Sequence, residues 1–112
     1  VWPAKKWSDM SAEEKNAVFT GPHEEAVVTQ ASRQAAFDNY ETQDDHGMQI
    51  VGKVKDQSGA SYYIVKNSWG PRKNAYREGY IYASEAFVRA KTISIMLHKD
   101  GLPKDTKKAA GL

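Results

Sequence analysis

The alternation of residues that begins at position 46 constrains the fold of this chain more than any other feature of its sequence. Small or apolar residues occupy every second position on one face of this segment, namely Met48, Ile50, Gly52 and Val54. A period of two is typical of a half-buried strand. Turn-forming residues occupy 56–59, and residues 61–66 are rich in β-branched and aromatic side chains. We therefore expect His46 to open the first strand of an antiparallel hairpin.

Two short helices are predicted on the N-terminal side of this hairpin. Ser11 and Glu14 have the spacing of a capping box, which predicts a helix over 12–19. Thr29 can cap a second helix, which we expect to end near 39–40.

Two further strands are predicted on the C-terminal side of the hairpin. Residues 79–83 are rich in aromatic and β-branched side chains, and apolar residues alternate with others over 92–97. Ser84 can cap a short helical turn between these two segments. The remaining residues show no periodicity.

We expect residues 1–112 to form one α+β domain, because a chain of this length supplies a single hydrophobic core. The predicted architecture is a mostly antiparallel β-sheet or partial barrel preceded by one or two short helices. Residues 1–45 are then a helical lead-in to the sheet, and residues 98–112 are a C-terminal tail.

Charge and apolar composition argue against two kinds of partner. Sixteen basic and fourteen acidic residues leave a formal net charge of +2, and the basic residues are spread along the chain, which makes nucleic acid a poor candidate. The apolar stretches are too short for a membrane span or a signal peptide, so we expect no membrane association. The compartment stays open between cytoplasm and periplasm.

The chain contains no cysteine, which excludes a disulfide, a thiolate metal site and a nucleophilic thiol within these residues. Three histidines are present. His23 and His98 have no neighbouring ligands at metal-binding spacing, so we expect no metal site.

His46 and Asn67 are expected to lie side by side, because the start of the first strand and the end of its partner meet at one edge of a hairpin. The asparagine carbonyl could then accept the Nδ1–H of the imidazole, which would leave Nε2 as a general base. Trp69 could cover that hydrogen bond. Alternatively, Asn67 and Ser68 form only a turn and Trp69 is a core residue.

These residues resemble the C-terminal half of the papain-like cysteine peptidases, which use a Cys-His-Asn site. The resemblance rests on HGM at 46–48, YIVKNSWG at 63–70 and EGYI at 78–81. Within that family, the acidic pair at 44–45, the segment NYET at 39–42 and the charged tail are most similar to the bleomycin hydrolase or aminopeptidase C branch, in particular its bacterial members.

The resemblance implies that His46 is the catalytic histidine, that Asn67 orients it, and that Trp69 shields their contact. The family's nucleophilic cysteine and oxyanion-hole glutamine belong to an N-terminal half that has no counterpart here. The implied partner is therefore a Cys-bearing N-terminal half, and the chain alone is expected to be inactive. The implied activity is hydrolysis of peptide substrates from their N-termini, without a metal or organic cofactor.

The tail and the exposed surface carry two further expectations. In the branch that the chain resembles, the C-terminal carboxylate meets the free amino group of the substrate, and Leu112 would supply it here. Alternatively, the tail is only a frayed, solvated terminus, since residues 109–112 carry no distinctive motif. Apolar residues meant for the other half, for which Trp2, Trp7 and Phe37 are candidates, would be exposed and could also support a homo-oligomer. The alternative function is a non-catalytic binding or interaction domain derived from the same fold.

Overall fold

The computed structural model describes residues 1–68 and 79–112, and its centre is an open three-stranded sheet. The strands are β1 (Gln49–Lys55), β2 (Ser61–Lys66) and β3 (Tyr80–Ser84), and they lie side by side in chain order. Each neighbouring pair is antiparallel. The predicted α+β class with an antiparallel sheet is confirmed, and of the two forms considered it is the open sheet.

β1 and β2 form the hairpin that the sequence predicts. Asp56 closes its turn, since Oδ1 accepts hydrogen bonds from the Ser58 N–H at 2.8 Å and the Ala60 N–H at 3.0 Å. The prediction that His46 opens the strand is wrong, because β1 begins at Gln49. The half-buried pattern is also not observed: β1 is an edge strand in the described part of the chain, and all its residues but Gly52 are exposed.

The N-terminal helices begin at the predicted caps. Helix α1 (Ala12–Ala17) follows Ser11, whose hydroxyl accepts the Glu14 N–H at 3.2 Å while the Glu14 carboxylate accepts the Ser11 N–H at 2.7 Å. Helix α2 (Gln30–Asp38) follows Thr29, which forms the same kind of reciprocal pair with Ser32. These two capping boxes satisfy backbone donors that the first helical turn leaves unpaired.

Helix α3 (Glu85–Lys91) continues directly from β3 and packs on the sheet. It begins at Ser84, a fully buried residue whose hydroxyl accepts the Phe87 N–H at 3.1 Å. The ring of Phe87 meets Trp2 edge to face at 6.2 Å between centroids. Within the described residues the buried hydrophobic core is small and consists of Val18, Val65, Ala83 and Ala90.

Two predictions for the C-terminal region are wrong. Residues 92–97 form no strand, because no other described segment pairs with them and their alternating side chains stay mostly exposed. The tail is not irregular throughout, since it contains helix α4 (Lys104–Ala109). None of the helices within 1–68 and 79–112 is long and apolar enough to cross a membrane.

Candidate active site

The hairpin register brings His46 and Asn67 together at one edge of the sheet. Gln49, the first residue of β1, pairs with Lys66, the last residue of β2. His46 therefore approaches this edge just before β1 begins, and Asn67 leaves it just after β2 ends. The structure places Nε2 of His46 2.9 Å from Oδ1 of Asn67, so the contact expected from the hairpin is present.

Asn67 is the fixed member of this pair. It is buried, with 6% of its surface exposed, and its backbone N–H donates to the Gly79 carbonyl at 2.9 Å, which extends the β2–β3 ladder by one residue. Gly79 has a φ of 93°, a left-handed conformation that glycine adopts without steric cost. His46 is exposed, so the amide is a rigid support for a more accessible ring.

The hydrogen bonds around Asn67 determine which imidazole nitrogen carries the proton. Oδ1 also accepts the Ser68 N–H at 2.7 Å, and because a backbone N–H can only donate, the amide oxygen must face this position. His46 Nε2, at 2.9 Å from the same oxygen, must then be a donor. In the neutral ring the basic nitrogen is Nδ1. The sequence-based expectation that Nδ1–H donates and Nε2 serves as base is therefore wrong.

Two residues that sequence reasoning did not assign to the site support the segment leading to His46. Lys91 Nζ donates to the Glu41 carbonyl at 2.6 Å and to the Thr42 hydroxyl at 2.9 Å, and Thr42 is 7% exposed. The segment at 39–42 stood out in the sequence, but no local signal links it to Lys91, about fifty residues further along the chain.

Two of the predicted site residues are not placed beside this pair. Trp69 lies outside the described residues. Leu112 is 70% exposed, and its backbone N–H donates to the Lys107 carbonyl at 3.0 Å at the end of α4. Both roles therefore stay predictions.

The other two histidines lie apart from this pair. His98 caps a 3-10 turn, where Nδ1 accepts the Asp100 N–H at 3.3 Å. Both ring nitrogens of His23 are buried without a hydrogen-bond partner among the described residues. Across 1–68 and 79–112 no three His, Asp or Glu side chains are grouped closely enough to hold a metal ion.

Comparison with known proteins identifies the family of this chain. The family model described as the Peptidase C1-like family matches residues 14–111, nearly the whole chain. Cathepsin L from Sarcophaga peregrina is 58% identical over 26 residues, a match that covers 23% of this chain and 8% of the cathepsin. Because the family match spans far more than half of the sequence, the chain belongs to the Peptidase C1-like family of papain-like cysteine peptidases.

Proposed function

We propose that this chain supplies the histidine and asparagine of a papain-like peptidase active site, and that a Cys-bearing N-terminal half supplies the nucleophile. The observation that carries the proposal is the 2.9 Å contact between His46 Nε2 and Asn67 Oδ1 in a member of this family. The chain has no cysteine, so the attacking thiol must come from elsewhere.

The imidazole takes part in three proton transfers in this mechanism. His46 Nδ1 takes the proton of the thiol, and the thiolate attacks the carbonyl carbon of the peptide bond. The tetrahedral adduct collapses when the C–N bond breaks and the leaving amine receives the proton from His46. Water then attacks the resulting thioester while His46 removes its proton, and the thiolate is released. Asn67 keeps the ring oriented throughout, because it accepts from Nε2–H in both the neutral and the charged ring.

The experiment combines this chain with a polypeptide that carries the Cys-bearing half and measures hydrolysis of an aminoacyl reporter. We expect neither part to be active alone, and we expect their mixture to hydrolyse the reporter and to be labelled by a thiol-directed inhibitor. His46→Ala should abolish turnover, whereas His98→Ala, at the exposed 3-10 turn, should leave it unchanged. Turnover by the isolated chain would contradict the proposal, and a stable but inactive complex would favour the non-catalytic binding domain.

We further propose aminopeptidase specificity of the bleomycin hydrolase or aminopeptidase C type. It is supported by the resemblance at 39–42 and 44–45 and by a tail that ends in an ordered helix cap. The Leu112 carboxylate would face the ammonium of the substrate. A pair of opposite charges about 4 Å apart gains on the order of 1 to 4 kcal/mol, depending on screening, which suffices to select free N-termini.

Deletion of Gly111 and Leu112 tests this role in the reconstituted enzyme. It should weaken aminopeptidase activity and permit internal cleavage. The deletion also removes the backbone hydrogen bonds with which both residues close α4. A matched variant with one glycine added after Leu112 keeps these bonds and only moves the carboxylate, so it should show the same change in specificity. Unchanged preference for free N-termini in both variants would rule out the role of the carboxylate.

A further inference from the structure

The ammonium group of Lys91 joins three distant parts of the chain. It donates to the Glu41 carbonyl at 2.6 Å and to the Thr42 hydroxyl at 2.9 Å, and it lies 5.2 Å from the centroid of the Trp2 ring. A lysine ammonium has three N–H donors, and two of them are used on this one segment. Lys91 is the last residue of α3, which packs on the sheet, so the contact ties the segment to the core.

Thr42 is the anchor point of the chain before His46. Its backbone N–H donates to the Ala36 carbonyl of α2 at 2.9 Å, and its side chain is buried with the hydroxyl on Lys91. Every residue from 43 to 50 is exposed. Thr42 is therefore the last position before His46 at which burial and hydrogen bonding together fix the backbone.

The backbone of His46 is held between two anchors. On the C-terminal side, Gln49 pairs with Lys66 at the start of the hairpin. On the N-terminal side, the nearest fixed residue is Thr42. Asn67 belongs to the sheet, so moving the N-terminal anchor would shift the imidazole relative to an amide that stays in place.

From this geometry we infer that Lys91 is a positioning residue for His46. Lys91 binds the backbone carbonyl of Glu41 and the side chain of Thr42, and these contacts fix where residues 43–45 begin. Their path then keeps Nε2 of His46 within hydrogen-bond distance of the Asn67 oxygen. Lys91 acts through this segment, since its contacts in the described part of the chain are with Glu41, Thr42 and Trp2. The inference rests on the proposed function in one respect: the His46 ring that Lys91 positions is taken to be the catalytic base.

The test compares variants of the chain itself by NMR, without the Cys-bearing half. Lys91→Met keeps an apolar side chain against Trp2 and removes both hydrogen bonds. We expect the Thr42 amide to exchange faster and the through-space contact between the His46 ring and the Asn67 side chain to be lost. Lys91→Arg retains charge and donors and should preserve the contact.

Two further variants separate positioning from general destabilisation. Lys15→Met removes a comparable ammonium, 5.8 Å from the Trp7 ring, and should leave the His46 contact unchanged. Thr42→Val removes only the hydroxyl that Lys91 binds, and it should weaken the contact even if Lys91→Met does not fold. The inference fails if the His46 contact survives in Thr42→Val and in folded Lys91→Met, or if Lys15→Met disrupts it equally.

In the reconstituted enzyme, Lys91→Met should lower kcat roughly a hundredfold with KM unchanged, because displacement of a catalytic group by about 1 Å has effects of that size. A raised KM with unchanged kcat would overturn the positioning role. If the unsubstituted enzyme cannot be reconstituted, the proposed function fails, while the NMR comparison still decides the role of Lys91.

Discussion

At the scale of single residues, Asn67 is the side chain on which the site depends. One oxygen accepts from both Ser68 N–H and His46 Nε2–H, and it can do so because a carbonyl oxygen has two lone pairs. The Asn67 side chain is buried, whereas Ser68 and His46 are exposed, so these two donors satisfy an oxygen that itself has little access to water. The same atom therefore stabilises the end of β2 and fixes the imidazole.

Asn67→Ala should destabilise the chain and disable the reconstituted enzyme. Loss of the amide oxygen removes the part-buried hydrogen bond from the Ser68 N–H, which should cost about 0.5 to 1.5 kcal/mol of unfolding free energy. Urea denaturation measures this cost, and kcat/KM measures the loss of orientation at His46. Asn16→Ala is the control, since this asparagine is an exposed residue of α1 and lies outside the segment that leads to His46. Equal effects of the two substitutions would contradict the special role of Asn67.

The sequence could predict that His46 and Asn67 meet, but not through which nitrogen. The meeting depends on hairpin topology, and a hairpin is a local structure that its turn and strand residues encode. Which imidazole nitrogen faces the Asn67 oxygen depends on the backbone path of residues 43–45, because that path sets the orientation of the His46 ring at the edge of the sheet. That path is set by Thr42 and Lys91, a pair 49 residues apart that no local pattern reveals.

At the scale of elements, the predicted helix starts are confirmed, as the predicted hairpin is. Ser11, Thr29 and Ser84 each cap a helix, because capping needs only a few consecutive residues. The strand over 92–97 fails for the opposite reason: alternation makes a segment suitable for a sheet, but a strand requires a partner.

The helix in the tail has local sequence signals although it lacks a periodic apolar pattern. Pro103 precedes α4, Asp105 lies in its first turn, and Lys107 and Lys108 lie in its last, as the helix dipole favours. Gly111, with a φ of 71°, and Leu112 then donate backbone hydrogen bonds to Lys108 and Lys107. This is the Schellman pattern of a helix C-terminus.

The two serine caps should differ in their contribution to stability. Ser84→Ala removes the buried hydroxyl that accepts the Phe87 N–H in the first turn of α3, and it should lower the unfolding free energy by about 1 to 2 kcal/mol. Ser11→Ala affects an exposed six-residue helix that can fray alone, and its cost should be about 0.5 kcal/mol. Thermal denaturation of both variants tests the order, and a larger effect at Ser11 would show that α3 does not belong to the cooperative core.

The hairpin turn should loosen in acid. Hydrogen bonds, chiefly from the Ser58 hydroxyl and also from the backbone N–H groups of Ser58 and Ala60, hold the pKa of Asp56 below its ordinary value. A lowered pKa in the folded state means that this stabilisation is present above the ordinary carboxyl pKa and is lost as the pH falls through the folded value. The Ala60 amide chemical shift should follow this titration. In Asp56→Asn the Ala60 shift should show no such titration. If the titration curve of the Ala60 shift is the same in this variant, a group other than Asp56 causes it.

At the scale of the whole molecule, the described chain leaves much apolar surface in water. Its radius of gyration is 15.8 Å, larger than the roughly 13 Å typical of a compact domain of about this size. Trp7 and Phe37 are about half exposed, as the sequence analysis expected, while Trp2 is partly covered by Phe87. Residues 92–97, which form no strand, add four exposed apolar side chains to this surface: Ile93, Ile95, Met96 and Leu97.

The isolated chain should therefore self-associate, and the surface around Phe37 should contribute to it. Phe37 and Ile93 line one shallow groove, so Phe37→Lys places a charge where two apolar surfaces would meet. We expect sedimentation velocity to show association that grows with concentration and is reduced by this substitution. Val27→Lys, at an exposed apolar residue outside that groove, should have little effect. The Cys-bearing half should suppress self-association by covering the same surface. A chain that stays monomeric at high concentration would indicate that its exposed apolar residues need no partner, and would favour a self-sufficient binding domain over half of a peptidase.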